Sequence, residues 1–339
     1  MKAIKEKLPD TREEWLAQRA RGLGGSDAGA VMGVNKYKSA YTLWAEKTGI
    51  LPAPDIDNEA MRQGRDLENY VAQRFVEETG KRVKRSNFCY TAIDHPHMRA
   101  NIDRLIVGEN AALECKTANL FTQDDYQAGV IPDTYYCQCL HYMSVLDLDR
   151  VYLAVLVLSR DFHIFEIDRS DPNVAADMAA LVAAEKAFWT LVQTNTPPAI
   201  DGSESTAETI KLVTGASNPG TVPVNLEDLE ALLEIREEYI QKLKDLEAEK
   251  TKIENVIKGR MDRASRATTS KYNITYKSNV CVDEARLKAD LPDIYELCVT
   301  RKIRETVDRK KLEKAIVDAE KYLIPSATRP LKITRKRES

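Results

Sequence analysis

The first 200 residues alternate between two apolar periodicities, one typical of amphipathic helices and one typical of strands. Helical spacing predicts helices over residues 13–21, 28–32, 39–47, 61–79, 135–146 and 177–193. Alternating or continuous apolar runs predict strands over residues 82–90, 99–107, 111–117, 151–158 and 163–167. Helices and strands interleaved in this way predict one mixed α/β domain over residues 1–198.

A polar segment separates this domain from a long helix. Pro197 and Pro198 stop the preceding helix, and residues 199–223 are rich in Ser, Thr, Gly, Asp and Pro, which predicts a linker. Residues 226–261 carry apolar side chains three and four positions apart among many Glu and Lys residues, which predicts a long surface helix. Lys250 interrupts this apolar stripe, which argues against a strict coiled coil and favours packing on another helix of this chain or of a neighbouring subunit.

The chain after this helix is predicted to contain shorter elements. Strand-like patterns occur at residues 272–277 and 303–307, and helical spacing occurs at residues 309–320. Residues 224–339 are therefore predicted to form a mainly helical C-terminal extension with a small α/β part, which would serve assembly or partner binding.

Composition places the chain among soluble globular proteins, because 43% of its 339 residues are apolar and 30% are charged. The net charge of −3 gives no overall basic character of the kind that binds nucleic acid, so any basic binding surface must be local. No apolar run is long enough to span a bilayer, and the N-terminus is too polar for a secretion signal. The six cysteines form no staple pattern, and Cys137 and Cys139 lack a second pair at zinc spacing. We therefore expect reduced thiols and a cytoplasmic location.

The strands at 99–107 and 111–117 carry the candidate chemistry. Glu114 and Lys116 are two positions apart and project from the same face of a strand. A two-residue turn at residues 108–109 would place Asp103 directly opposite Glu114. Two carboxylates suit Mg²⁺ or Mn²⁺, and a lysine beside them can position a water molecule. The alternative is a solvated hairpin face with weak ion pairs.

The order of these pieces resembles the YqaJ and lambda-type family of phage recombination nucleases, which have a PD-(D/E)xK core. The resemblance covers residues 12–160 and rests on four stretches: Trp-Leu-Ala-Gln-Arg at 15–19 followed by Gly-Gly-Ser-Asp at 24–27; Met-Arg-Gln-Gly-Arg-Asp-Leu-Glu at 61–68; Asn-Ile-Asp at 101–103 leading to Glu-Cys-Lys at 114–116; and Tyr-Cys-Gln at 136–138. It implies a restriction-endonuclease-like α/β fold in which helices flank a mixed β-sheet.

The resemblance also implies roles for individual residues. Asp103 and Glu114 would hold Mg²⁺, which Mn²⁺ could replace, together with the backbone carbonyl of Cys115. Lys116 would orient the attacking water, and Glu68 would help to hold a second metal ion or its waters. The alternative for Glu68 is an exposed helix carboxylate.

A second group of residues is expected to bind the 5′-phosphate of a DNA end. Arg19 and Ser26 occupy the family's phosphate-binding positions; the alternative is a surface arginine and a plain N-cap serine. Gln138 matches a helix glutamine that contacts the same end; the alternative is a polar residue on a helix rim. Asn101 and Arg104 mark a departure, because the family often has Ser-Pro-Asp-Gly around the metal-binding aspartate. Asn101 can still donate a hydrogen bond, and we assign it to the same group.

The function implied by the resemblance is Mg²⁺-dependent 5′→3′ digestion of double-stranded DNA, which would leave 3′ single strands for an annealing protein. A homo-oligomer is also implied. Two alternatives remain open: an endonuclease or nickase with the same core, and a catalytically silent DNA-binding assembly protein.

Overall fold

A computed structural model describes residues 3–9, 11–52, 58–119, 126, 129–215, 227–262, 264–276, 289–290 and 292. The chain divides into two compact units, one of residues 1–217 with 331–339 and one of residues 218–330. The strand predicted at 303–307 and the helix predicted at 309–320 lie outside the described residues. Within the described part, no helix combines the length and the apolar character needed to cross a bilayer.

Helical spacing in the sequence marks most of the helices, and several of them also begin at a side-chain cap. In the first unit the helices are α1 (Arg12–Ala20), α2 (Gly25–Val31), α3 (Ala40–Lys47), α4 (Glu59–Thr79), α5 (Asp133–Leu146), α6 (Pro172–Gln193) and α7 (Glu204–Thr214). Asn58 caps the start of α4 by accepting a hydrogen bond from the Met61 backbone, and Gly80 ends α4 in the left-handed conformation with φ 70°. These two signals fix the ends of the helix that carries Glu68.

Among the described residues of the first unit, nine strands form two sheets. They are β1 (Ala3–Lys7), β2 (Leu23–Gly24), β3 (Val83–Arg85), β4 (Phe88–Ala92), β5 (Met98–Asn101), β6 (Arg104–Ile106), β7 (Ala111–Ala118), β8 (Arg150–Val157) and β9 (Phe162–Asp168). The smaller sheet has the order β1-β4-β5-β2, and the larger sheet has the order β3-β6-β7-β8-β9. In the larger sheet β7 and β8 are parallel, and the other neighbours are antiparallel.

The larger sheet is covered by α4 on one face and α5 on the other. Val71 and Phe75 of α4 pack in one core cluster with Leu113 of β7. Leu140 of α5 packs in the other core cluster with Ala112, the neighbour of Leu113 on the same strand. Alternate residues of β7 therefore face opposite helices, and the predicted mixed sheet flanked by helices is confirmed.

The structure corrects the prediction of continuous strands at 82–90 and 99–107, because each run is divided between the two sheets. Ile102 packs in the core beside α5, whereas Ile106, which has the same parity, packs in the core beside α4. The chain therefore exchanges faces at Asp103. Burial continues to alternate through this point, so the apolar pattern gives no sign of the break. The backbone N–H of Ser86 donates to the backbone carbonyl of Asp103 at 3.4 Å. This hydrogen bond joins the two places where the chain passes from one sheet to the other.

The segment predicted as an irregular linker contains α7, which docks on α3. Thr206 Oγ1 donates to Ser39 Oγ at 2.8 Å, and Thr42 Oγ1 lies 2.7 Å from Thr209 Oγ1. Thr206 and Thr209 are buried. A hydroxyl network therefore holds this helix, and its Ser and Thr residues have the composition of a loop, which explains the incorrect prediction for residues 204–214.

The second unit contains one long helix and a hairpin among its described residues. The helix α8 spans Glu227–Met261, as its apolar spacing predicts. The strands β10 (Arg266–Thr268) and β11 (Asn273–Thr275) pair antiparallel, and β11 falls within the predicted strand at 272–277.

Candidate active site

The hairpin of β6 and β7 has the register that a two-residue turn predicts. Arg104 pairs with Leu113 and Leu105 pairs with Ala112, and Gly108 takes the φ of 90° that such a turn requires. Continuing this register by one residue places Asp103 opposite Glu114. Glu114 is only 3% exposed, which excludes the alternative of a solvated hairpin face for this carboxylate.

Hydrogen bonds hold the three central side chains in defined positions. Asp103 Oδ2 accepts from the backbone N–H of Cys115 at 2.8 Å. Lys116 Nζ donates to Glu114 Oε1 at 2.5 Å, and Gln138 Nε2 donates to the same oxygen at 2.7 Å. The structure therefore brings Asp103, Glu114 and Lys116 together with Gln138, which reaches them from α5.

Glu68 joins this cluster through an arginine that sequence reasoning did not assign to the site. Arg104 Nη1 donates to Glu68 Oε1 at 2.5 Å and to the backbone carbonyl of Asp103 at 2.9 Å. Arg104 is buried, so its charge depends on Glu68 for compensation. Glu68 is thus tied to the residue next to Asp103, in contrast to the alternative of an isolated exposed carboxylate.

The cluster carries more negative than positive charge. Burial, followed by repulsion from Glu114, raises the pKa of Asp103 to about 8, although Lys116 opposes this rise. Burial alone would lower the pKa of Lys116, but attraction to Glu114 and Asp103 outweighs burial and raises it. Glu114 Oε2 is buried and has no hydrogen-bond partner in the part of the chain that the structure describes. Lys116 and Arg104 therefore do not balance all the carboxylates of the cluster when these are ionised.

This donor set fits a divalent cation. Among the described residues, no three His, Cys, Asp or Glu side chains are grouped so that they could hold a metal ion by themselves. The two carboxylates of Asp103 and Glu114 would need a further oxygen, such as the carbonyl of Cys115, and Mg²⁺ commonly combines one or two carboxylates with water. The unpartnered Glu114 oxygen and the raised pKa of Asp103 are the two observations that fit a cation at this position.

A small pocket of about 180 Å³ lies on the other side of Gln138, with Arg19, Ser26 and Asn101 also in its lining. Arg19 Nη2 donates to Ser26 Oγ at 2.8 Å, and the guanidinium lies 5.1 Å from the centre of the Trp15 ring. The structure therefore brings together all four residues that sequence analysis assigned to phosphate binding. Gln138 also belongs to the carboxylate cluster.

A buried carboxylate supports the floor of this pocket. Asp27 lies 3.0 Å from Lys47 Nζ and 3.5 Å from Arg19 Nη2, and it accepts from the backbone N–H of Gly24 at 3.0 Å. Burial raises the pKa of Asp27, but the two cations outweigh burial and hold it at about 2. Sequence reasoning missed Lys47, which is distant along the chain and has no local motif.

Close packing of α2 on α5 fixes the distance between the pocket and the carboxylates. A Cβ atom at Gly25 would lie 2.5 Å from Tyr142 Cε1 and 3.1 Å from Gln138 Cγ. Only glycine allows the two helices to approach this closely. The hydroxyl of Tyr142, a residue that the sequence analysis did not assign to the site, accepts a hydrogen bond from Gln138 Nε2 at 2.7 Å.

Comparisons with known proteins place the chain in a family. A model described as a YqaJ-like viral recombinase domain matches residues 14–149. YqaJ of Bacillus subtilis (strain 168), a protein described as uncharacterized, is 34% identical over 295 residues, which cover 84% of this chain and 90% of YqaJ. The chain belongs to the YqaJ-like family of viral recombinases. The matched length exceeds the 217 residues that precede the second unit, so the relationship extends into that unit.

Solved structures resemble only part of the chain. The alkaline exonuclease LHK-Exo from Laribacter hongkongensis is 22% identical with a TM-score of 0.46, covering 54% of this chain and 94% of its own. A phage-related exonuclease from Haemophilus somnus 129PT is 14% identical with a TM-score of 0.38, covering 53% of this chain and 98% of its own. Likeness of this degree assigns no activity. The family and the observed mixed sheet together agree with the predicted PD-(D/E)xK fold class.

Proposed function

We propose that this protein is a divalent-metal-dependent deoxyribonuclease, and specifically a 5′→3′ exonuclease that acts on ends of double-stranded DNA. The observation that carries the proposal is the position of Gln138. Its side chain lines the pocket beside Arg19 and donates to Glu114 Oε1, so one residue connects a candidate phosphate site with a candidate metal site. The family's description as a viral recombinase domain agrees with a role on DNA.

Each residue of the carboxylate cluster has a chemical task in this proposal. Asp103 and Glu114, with the carbonyl of Cys115, would hold Mg²⁺ or Mn²⁺, and Glu68 would contribute from α4. The bound cation would neutralise charge that develops on the phosphoryl oxygens. Lys116 keeps its proton because its pKa is raised, so it acts by orienting water and by its charge rather than as a base.

The pocket beside Arg19 would give the enzyme its preference for the ends of DNA. Arg19 is partly exposed and donates to Ser26 Oγ, a neutral partner that a doubly charged terminal phosphate can displace or join. Asn101 and Gln138 line the same pocket. An internal phosphodiester would carry less charge and would have to fit a pocket of about 180 Å³ together with both flanking nucleotides, so we infer terminal phosphate as the ligand.

The wider setting follows from the proposed activity. The substrate would be linear double-stranded DNA, and the product would carry 3′ single strands that suit a single-strand annealing protein. A homo-oligomer and a cytoplasmic location complete the proposal.

The test is digestion of linear duplex DNA labelled at one end, with and without Mg²⁺. We expect Mg²⁺-dependent release of nucleotides from the 5′-phosphorylated end and no cleavage of a covalently closed circle. Lys116→Ala should abolish release while circular dichroism remains unchanged, and Lys81→Ala, at an exposed ion pair with Glu109, is the control. Cleavage of the closed circle would establish an endonuclease, and absence of cleavage under every metal tested would establish a silent DNA-binding protein.

A further inference from the structure

The helix α8 exposes an apolar stripe along its 35 residues, interrupted by a few charged side chains. Its seam, the positions that follow one another at spacings of three and four, consists of residues 229, 232, 236, 239, 243, 246, 250, 253, 257 and 260. All seven apolar or aromatic side chains of the seam are between 40% and 67% exposed. An exposed apolar stripe on this scale marks an interaction surface.

The three remaining seam residues are charged, and they discriminate between orientations of a paired helix. In a parallel pair of identical helices, Arg236 would face the partner's Arg236 and Lys250 would face the partner's Lys250. Two buried layers of like charge would oppose this arrangement. A parallel pair of two copies is therefore disfavoured by the sequence of the seam.

An antiparallel pair removes both conflicts. When the two-fold axis passes between Leu243 and Leu246, Arg236 faces the partner's Ile253 and Lys250 faces the partner's Tyr239. The aliphatic part of each cation can then cover an apolar neighbour, and the ammonium of Lys250 can approach an aromatic ring. Lys250, which interrupts the stripe when a single helix is considered, thus has a compatible partner on a second copy.

The positions beside the seam agree with the same register. Lys242 faces the partner's Glu249, and the two-fold axis repeats this ion pair. Ile235 faces the partner's Val256, and both side chains are about half exposed. A parallel pair would instead bring Glu249 beside the partner's Glu254. The charged and apolar positions of α8 therefore match those of a second α8 that runs antiparallel to it.

The present contacts of these charges do not compete strongly with the pairing. Within the chain, Lys242 lies 3.6 Å from Glu238 and 5.3 Å from the centre of the Tyr239 ring. Glu249 lies 3.8 Å from Lys252. The four charged side chains are at least 64% exposed, so both ion pairs contribute little. They can exchange or share partners when a second helix approaches.

We propose that α8 is a dimerisation helix that pairs antiparallel with α8 of a second copy of this chain, with the two-fold axis between Leu243 and Leu246. The interface is isologous, so it closes at two copies. The paired segment is about 52 Å long, since an α-helix rises 1.5 Å per residue.

A charge-reversal cycle on the full-length chain tests the pairing. Lys242→Glu and Glu249→Lys should each weaken the dimer roughly fivefold in sedimentation equilibrium, since each places two like-charge pairs in the interface. The double variant Lys242→Glu with Glu249→Lys should restore wild-type association. Residues 242 and 249 are two turns apart and about 10 Å from each other along one helix, so effects within the chain would add rather than cancel.

Cysteine cross-linking tests the orientation separately. Arg236→Cys with Ile253→Cys should give a covalent dimer on mild oxidation, whereas Arg236→Cys alone should give no more than the wild-type chain with its native cysteines. A dimer from Arg236→Cys alone would establish parallel pairing and overturn the proposal. A monomeric wild-type chain would also overturn it, since the stripe would then be covered by the same chain or by a different protein.

Discussion

Two aspartates on either side of Gln138, the buried Asp27 and the partly buried Asp103, show opposite electrostatic behaviour. Asp27, beneath the arginine pocket, has a pKa of about 2, whereas Asp103, in the carboxylate cluster, has a pKa of about 8. Burial raises the pKa of both. The difference comes from their neighbours: Asp27 contacts Lys47 and Arg19, whereas repulsion from Glu114 outweighs the attraction of Asp103 to Lys116.

The charge of Asp27 is balanced by cations of the same chain, Lys47 and Arg19. In the carboxylate cluster, Glu114 Oε2 has no partner among the described residues and the pKa of Asp103 is raised, and the proposed cation would account for both.

The largest effect is expected from Asp103→Asn. Loss of a cation ligand removes several kcal/mol of transition-state stabilisation, so DNA cleavage should fall roughly 10³-fold or more. Without metal, the stability at pH 7 should change little, because Asp103 is then largely protonated and the amide has the same shape. The measurement is cleavage rate, together with thermal unfolding with and without Mg²⁺.

Thermal unfolding distinguishes loss of the metal site from loss of fold. Mg²⁺ should raise the Tm of the wild-type chain and not that of the Asp103 variant, because a ligand stabilises only the state that binds it. Asp66→Asn, on α4 with a side chain 70% exposed, is the matched control and should respond like the wild type. An equal Mg²⁺-induced rise in both variants would place the cation elsewhere.

A smaller and substrate-dependent effect is expected from Arg19→Ala. Charged hydrogen bonds to a terminal phosphate are worth enough to lower digestion of 5′-phosphorylated duplex about 10-fold to 100-fold. Duplex with 5′-hydroxyl ends should be digested at an unchanged rate. Arg21→Ala is the control, since Arg21 is exposed and has a 3.8 Å ion pair with Glu6. Equal losses on both ends would remove the pocket from end recognition.

Gln138→Leu should reduce digestion of both kinds of end by about tenfold, because one amide serves both regions. The variant keeps most of the volume between Glu114 and Tyr142 while removing the donor. Gln73→Leu, on the exposed side of α4, is the matched control and should be neutral. A loss confined to 5′-phosphorylated ends would assign Gln138 to the pocket alone.

Sequence reasoning succeeded where the chemistry is local and stopped where contacts are distant. The alternating pattern and Gly108 predict the hairpin, so the opposition of Asp103 and Glu114 follows from the sequence. The contact between Arg104 and Glu68 joins residues 36 positions apart, and no local sequence pattern predicts it. Lys47 reaches Asp27 across 20 positions in the same way. The break of the strand at Asp103 also escaped prediction, since both sheets accept alternating apolar residues.

The last effect concerns the pH dependence of stability rather than cleavage, and the two aspartates should act on it with opposite signs. Asp27 has a folded pKa of about 2, below its ordinary value of 3.8, so its contribution is present above pH 3.8 and is lost as the pH falls through about 2. Asp103, in metal-free buffer, has a folded pKa of about 8, so its contribution is present below pH 3.8 and is lost as the pH rises through about 8.

The measurement is Tm against pH in buffer containing a chelator. Asp27→Asn should remove part of the loss of stability in acid, and Asp103→Asn should remove part of the decline between about pH 4 and pH 8. Saturating Mg²⁺ should also remove that decline in the wild-type chain, because an ion bound at Asp103 favours the carboxylate. If Mg²⁺ leaves the slope unchanged, the charge missing from the carboxylate cluster is not supplied by a cation.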